Sequence, residues 1–141
     1  MTQQSTNQLE EGGTLTLDFD KITKAAAKCR GLIPVALQDA DTNEVILLAY
    51  TNETAFKKAV TTRCVVLWST SRNELWEKGA TSGNTFELLD VLVNCEQNSL
   101  LYKVRPRVKG ICHTKNKAGK PRNCFYRRLN LDTLGLDNLD A

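Results

Sequence analysis

The stretch LIPVALQDADTNEVILLAY (32–50) decides the fold. An apolar run of strand length, LIPVALQ, is followed by DADTN and then by a second apolar run, EVILLAY. Asp and Asn favour turns because their side chains bond nearby backbone and tolerate unusual φ. The pattern predicts an antiparallel hairpin, Ile33–Gln38 against Val45–Tyr50.

Upstream, Asp18–Arg30 reads as a short helix. Phe19, Ile22, Ala26 and Cys29 recur at helical spacing, Asp18 or Asp20 caps the start, and Gly31 ends it. Residues 1–17 read as a flexible lead-in. Downstream, Asn52 and Glu53 open a second helix over Glu53–Thr61, with Phe56 and Val60 on one face. CVVLWS (64–69) reads as a strand, FELLDVLVNC (86–95) as a long strand, EQNS as its turn, LLYKVRP (100–106) as the return and NCFYRRL (123–129) as the last strand. Two long polar loops separate them, 70–85 and 107–122. The tail 130–141 alternates Leu and Asp and is expected to dock weakly or fray. The domain proper is therefore placed at 18–129. About six strands and two short helices make a β-rich α+β chain, mostly antiparallel sheet or a partly open barrel.

The composition narrows the function classes. The chain of 141 residues carries 19 Lys plus Arg against 16 Asp plus Glu, a net charge of +3, too little to indicate a nucleic-acid protein. Five cysteines are an odd number, which argues against a secreted disulfide framework. No stretch reaches the roughly 18 apolar residues of a membrane helix. The polar start MTQQSTNQLEEGG has no apolar core of a signal peptide. The expectation is a cytoplasmic protein with no membrane and no nucleic-acid partner.

Three clusters carry chemistry. Cys95, Cys112 and Cys124 fall in the second half of the chain, and three thiolates with one open position suit a catalytic zinc. The alternative is three buried small apolar residues. His113, the single histidine, is adjacent to Cys112 and reads as a fourth ligand or a proton carrier. Cys29 and Cys64 sit in apolar patterns and read as packing residues. In Asn94-Cys95-Glu96-Gln97-Asn98, the oxygens of Asn94, Glu96 and Asn98 alternate with Cys95. They suit either a weak Mg²⁺ site with one carboxylate or an ordinary turn. The third cluster is WSTSRNELWEKGATSG (68–83). Trp68 and Trp76 can stack on a base, Arg72 and Lys78 can meet phosphate, and Ser69, Ser71, Thr81, Ser82 and Gly83 offer hydroxyls and backbone N–H groups. A polar loop with two core indoles is the other reading.

Taken together, GLIPVALQDADTNEVILLAYTN (31–52), WSTSRNELWEKGATSG (68–83), NCEQNSLLYKV (94–104), CHT (112–114) and NCFY (123–126) resemble the phosphoribosyl-AMP cyclohydrolases. These histidine-biosynthesis enzymes open the adenine ring of N1-(5-phosphoribosyl)-AMP. The resemblance implies an intertwined β-rich homodimer with active sites at the interface. It implies a zinc held by Cys95 of one chain with Cys112 and Cys124 of the other. It also implies a magnesium site at Asn94, Glu96 and Asn98, where the family carries three Asp. A small phosphoribosylated nucleotide is the implied substrate. Trp68, Ser69, Ser71, Arg72, Trp76, Lys78, Thr81, Ser82 and Gly83 would bind it, with His113 passing a proton during cleavage of C6–N1. A second departure is the longer KNKAGKPRN segment after Thr114, which sets Lys115, Lys117, Lys120 and Arg122 near the expected phosphates. Many family members are joined to a pyrophosphohydrolase domain, and 141 residues are expected to leave no room for one. A divergent hydrolase for another N1-substituted purine or amidine, or a non-catalytic zinc-binding paralogue, stands as the alternative.

Overall fold

In the computed structural model, which describes residues 6–78, 85–107, 115–120 and 122–141, the expected hairpin is present. β1 (Ile33–Asp39) pairs antiparallel with β2 (Val45–Thr51), Val35 opposite Ala49 and Leu37 opposite Leu47. Asp39 makes the turn. Its Oδ1 accepts from the backbone of Asp41 and Thr42 at 2.8 and 3.1 Å, and Asn43 takes φ 64°. α3 (Glu53–Thr62) follows, preceded in the chain by α1 (Thr6–Glu11) and α2 (Lys21–Lys28). Asn52 caps α3, its Oδ1 accepting from Ala55 N at 3.0 Å.

β3 (Val66–Ser69) and β4 (Glu74–Glu77) form a second hairpin. β5 (Phe86–Val93) and β6 (Leu100–Pro106) form a third. β7 (Arg127–Leu129) and β8 (Leu136–Asn138) form a fourth. The main sheet has the order β2-β1-β6-β5, with β1 and β6 parallel and the other pairs antiparallel. Alternation fixes its inner face. Val35 and Leu37 of β1, Phe86 and Leu88 of β5, and Tyr102 and Val104 of β6 are buried with Ile46 and Leu47 of β2. Ala55 and Ala59 of α3 and Val66 and Leu67 of β3 complete this core. Small residues on α3 let the helix approach the sheet closely.

Several expectations are corrected. The described residues hold eight strands and three helices and no closed barrel. The loop expected at 70–85 contains β4, which forms because Glu74–Glu77 finds β3 in register. The last strand is only Arg127–Leu129, and it pairs with β8 of the tail instead of joining the main sheet. Asp18–Arg30 shrinks to Lys21–Lys28. Phe19 and Ile22 are 84% and 51% exposed, and Ala25 is buried in their place, while Cys29 is buried as expected. The lead-in 1–17 includes α1 and a bridge between Thr14 and Gly135. α1 is only six residues long and needs tertiary support. Arg122 supplies it by pairing with Glu11, and the Tyr126 hydroxyl donates to the Glu10 carbonyl. No helix among the described residues is long and apolar enough to cross a membrane.

Candidate functional site

The β3–β4 turn gathers much of the third cluster. Trp68 Nε1 donates to Asn73 Oδ1 at 3.0 Å, and Asn73 takes φ 52° to close the turn. Ser69 Oγ accepts from Arg72 N and Arg72 Nε, both at 3.3 Å, and lies 3.3 Å from Ser71 Oγ. Arg72 Nη1 stands 3.5 Å from Glu74 Oε1 with both side chains largely exposed. Two serines and a guanidinium therefore sit within one solvent-facing turn. Trp76 pairs across the hairpin with the buried Leu67, and Trp68 with the exposed Leu75. The two indoles thus project from opposite faces. Lys78 Nζ lies 5.8 Å from the Trp76 ring and 5.3 Å from the Phe86 ring.

The β5–β6 turn holds Cys95, which is exposed. Asn94 Oδ1 accepts from Asn98 N and Ser99 N at 2.9 Å each, and Asn94 Nδ2 donates to Asn98 Oδ1 at 2.6 Å. Gln97 adopts φ 56°. Both amide oxygens are thus committed inside the turn, and Glu96 alone faces solvent with an available carboxylate.

Cys124, also exposed, is fixed at the other side of the sheet. Its backbone N–H donates to Ile46 O at 3.2 Å, and Asn123 Nδ2 donates to Val45 O at 3.0 Å, so this segment runs along β2. β2 and β5 are the two edges of the four-stranded sheet. Three strand spacings of about 4.8 Å put the edges roughly 14 Å apart. Leu47, next to Ile46, lies level with Leu37, Tyr102 and Val91, and Cys95 is four residues beyond Val91. That adds roughly 13 Å along the strand. Measured along the sheet, the two thiols of one chain are therefore on the order of 20 Å apart, whereas thiolates on one zinc at about 2.3 Å each are at most about 4.6 Å apart.

Arg122, expected near the phosphates, is 1% exposed. It pairs with Glu11, donates to Asp140 O at 3.2 Å and lies 3.8 Å from the Tyr126 ring. The Arg122 hydrogen bond holds the Glu11 carboxyl below its usual range. This arginine locks the loop to both chain ends. Asn116 and Gly119, the latter at φ 78°, form a tight turn that carries Lys117 and Lys120. Thr81, Ser82, Gly83, Cys112 and His113 lie outside the described residues. Among the described residues no three metal-binding side chains come together. Sequence reasoning missed a cleft of about 620 Å³ bordered by Arg30, Ile33, Asn52, Phe56, Val93 and Gln97. It adjoins the Cys95 turn, and its walls come from four separate stretches of chain, so no local pattern announces it.

In class, the chain is a β-rich α+β domain with thiols, serines and cations on loops at the sheet margins. Residues 47–126 match the family model described as phosphoribosyl-AMP cyclohydrolase. The phosphoribosyl-AMP cyclohydrolase of Archaeoglobus fulgidus is 45% identical over 103 residues, 73% of this chain and 90% of that protein. That of Halobacterium salinarum is 44% identical over 105 residues, 74% of this chain and 77% of that protein. The histidine biosynthesis bifunctional protein HisIE of Thermus thermophilus is 43% identical over 100 residues, 71% of this chain and 44% of that protein. The chain belongs to the phosphoribosyl-AMP cyclohydrolase family, and it is an enzyme.

Proposed function

We propose that the chain hydrolyses the C6–N1 bond of N1-(5-phosphoribosyl)-AMP, working as a homodimer whose two copies share each zinc site. The separation of Cys95 from Cys124 across the sheet carries this reading. Two exposed thiols on opposite sheet edges, about 20 Å apart along the sheet, are best brought to one metal from different chains. Cys95 of one copy would join Cys112 and Cys124 of the other. The donor set fits zinc, being three soft thiolates. The exposed apolar side chains Leu89, Leu92 and Val93 along the β5 edge, next to Cys95, offer a surface for the second copy to cover. For magnesium the residues do not fit. Asn94 and Asn98 spend their amide oxygens on the turn, and no step is assigned to that ion.

When bound, zinc in such a site activates water toward deprotonation near neutral pH. The chain's own residues hold and orient the substrate. Arg72 offers a fork for a phosphate, with the hydroxyls of Ser69 and Ser71 beside it. Lys78, Thr81, Ser82 and Gly83 complete the grip on phosphate and ribose. One of the two indoles, Trp68 or Trp76, lies on the purine, since they face opposite ways. Phosphoribosylation at N1 leaves C6 electron-poor. Water adds there, the C6–N1 bond breaks, C6 becomes a carboxamide carbon, and N1 takes up a proton. His113, next to Cys112, is assigned to deliver that proton.

Purified chain with phosphoribosyl-AMP is expected to give the ultraviolet change of ring opening and to contain zinc on elemental analysis. Cys112→Ala and Cys124→Ala are each expected to lose both. A variant that keeps its zinc and its full rate would remove that cysteine from the site.

A further inference from the structure

The β3–β4 turn has a second neighbour, α2. Lys28 Nζ donates to Ser71 O at 3.0 Å, Cys29 Sγ to Thr70 O at 3.7 Å, and Asn73 Nδ2 to Lys28 O at 3.5 Å. The buried Ala25 and Cys29 anchor the same face. Between helix and turn lies a recess of about 340 Å³ lined by Lys21, Lys24, Lys28, Asp18, Thr70 and Ser71. The spacing 21, 24, 28 places all three ammonium groups on one side of the helix. Asp18 is the single carboxylate there, and its Oδ1 accepts from Asp20 N at 3.1 Å. Lys21 and Lys24 are exposed and have no ion-pair partner among the described residues.

Lys21 and Lys24 work against the helix on its own, whereas Lys28 stands in the last turn, where a cation is favoured. Like charges one turn apart repel. Lys21 stands in the first turn of α2, where the helix dipole disfavours a cation, and that turn contains no acidic residue. Three cations around one recess become favourable when an anion occupies it. The turn on the opposite wall is the one that presents Ser69, Ser71 and Arg72.

We infer that Lys21, Lys24 and Lys28 seat a phosphate monoester, the second of the two phosphates carried by the substrate. The inference rests on the proposed function for the identity of the ligand. Arg72 and its serines take one phosphate, and the α2 lysines take the other from across the turn. The small net charge of the chain is no obstacle, because the positive charge is concentrated where the two phosphates bind.

The test is the double variant Lys21→Ala/Lys24→Ala, which spares the Lys28 contact that fixes the turn. KM for phosphoribosyl-AMP is expected to rise about tenfold or more, the worth of one charge-assisted hydrogen bond, with a much smaller change in kcat. Lys21→Arg/Lys24→Arg is expected to restore most of it. Inorganic phosphate is expected to compete with substrate in the parent enzyme and to compete less well in the alanine variant. A folded alanine variant with unchanged KM overturns the inference. If the parent chain does not turn over phosphoribosyl-AMP, the proposed function fails separately. Calorimetric titration with inorganic phosphate then decides the recess. Binding that weakens at least tenfold in the alanine variant supports it, and equal binding by both proteins, or none by either, overturns it.

Discussion

Replacing both Asn94 and Asn98 by Asp converts a turn closed by amides into one that needs a cation. In the parent, Asn94 Nδ2 donates to Asn98 Oδ1 at 2.6 Å, and Asn94 Oδ1 holds the backbone of Asn98 and Ser99. An Asp at 94 keeps the two backbone bonds, since a carboxylate oxygen accepts equally well. The side-chain bond is lost, at a cost of about 1 kcal/mol. Two carboxylates also come to face each other at about 4 Å, where repulsion is about 1 kcal/mol in water-like surroundings. The sum is about 2 kcal/mol, or roughly 6–10 °C in Tm for a chain of this length. Thermal unfolding near pH 7.5 in EDTA is expected to show that drop. A few millimolar Mg²⁺ is expected to restore much of it by bridging the carboxylates, and to leave the parent Tm unchanged. The deficit is also expected to shrink at acid pH, where one carboxyl protonates and donates to the other. If Mg²⁺ raises the parent Tm by several degrees, or the variant loses no stability in EDTA, the turn is not closed in the way described.

Two further outcomes follow from the fold. Asn52→Ala removes the acceptor for Ala55 N at the start of α3 and is expected to cost about 1 kcal/mol in urea unfolding, with an unchanged m value. The buried Tyr102 hydroxyl lies near Thr51 without a hydrogen bond of normal geometry, and burial pushes its pKa up, the Thr51 hydroxyl offsetting this in part. The folded state therefore holds the phenol proton more tightly than the unfolded chain. Its stability is full below pH about 10 and falls as pH rises beyond it. Tyr102→Phe is expected to flatten that alkaline decline, read from urea midpoints between pH 8 and 11.

The legible parts of the fold are those whose signals are local. The 33–50 hairpin carries its own turn in Asp39 and Asn43, and α3 carries its own cap in Asn52. β5 and β6 were legible for the same reason, with Asn94 between them. The parts that were not legible depend on partners distant in sequence. Glu74–Glu77 becomes a strand only because Leu67 and Trp76 meet in register. α1 is polar and short, and its support arrives from Arg122, which loop composition cannot distinguish from a solvated cation. Around α2 the periodic large residues, Phe19 before the helix and Ile22 within it, are exposed, and the small Ala25 does the packing. The Leu–Asp alternation of the tail did hold a strand signal, fulfilled by β8 against β7. At the site, residue types marked Cys95, Cys112 and Cys124 as metal candidates. The placement of Cys95 and Cys124 at opposite sheet edges follows from the parallel β1–β6 crossover, which no local pattern encodes.

The proposed shared zinc site is tested most directly by mixing two variants that are each expected to be inactive. On that proposal, Cys95→Ala and Cys124→Ala each damage every site in their own homodimers. A mixed dimer rebuilds one intact site from Cys95 of one chain with Cys112 and Cys124 of the other, and leaves its second site doubly damaged. With equal amounts and random exchange, half the dimers are mixed and half their sites are whole, so about one quarter of parental activity and zinc is expected to return. If each chain builds its own site, the mixture stays as inactive as either variant alone, and the two-chain account is wrong.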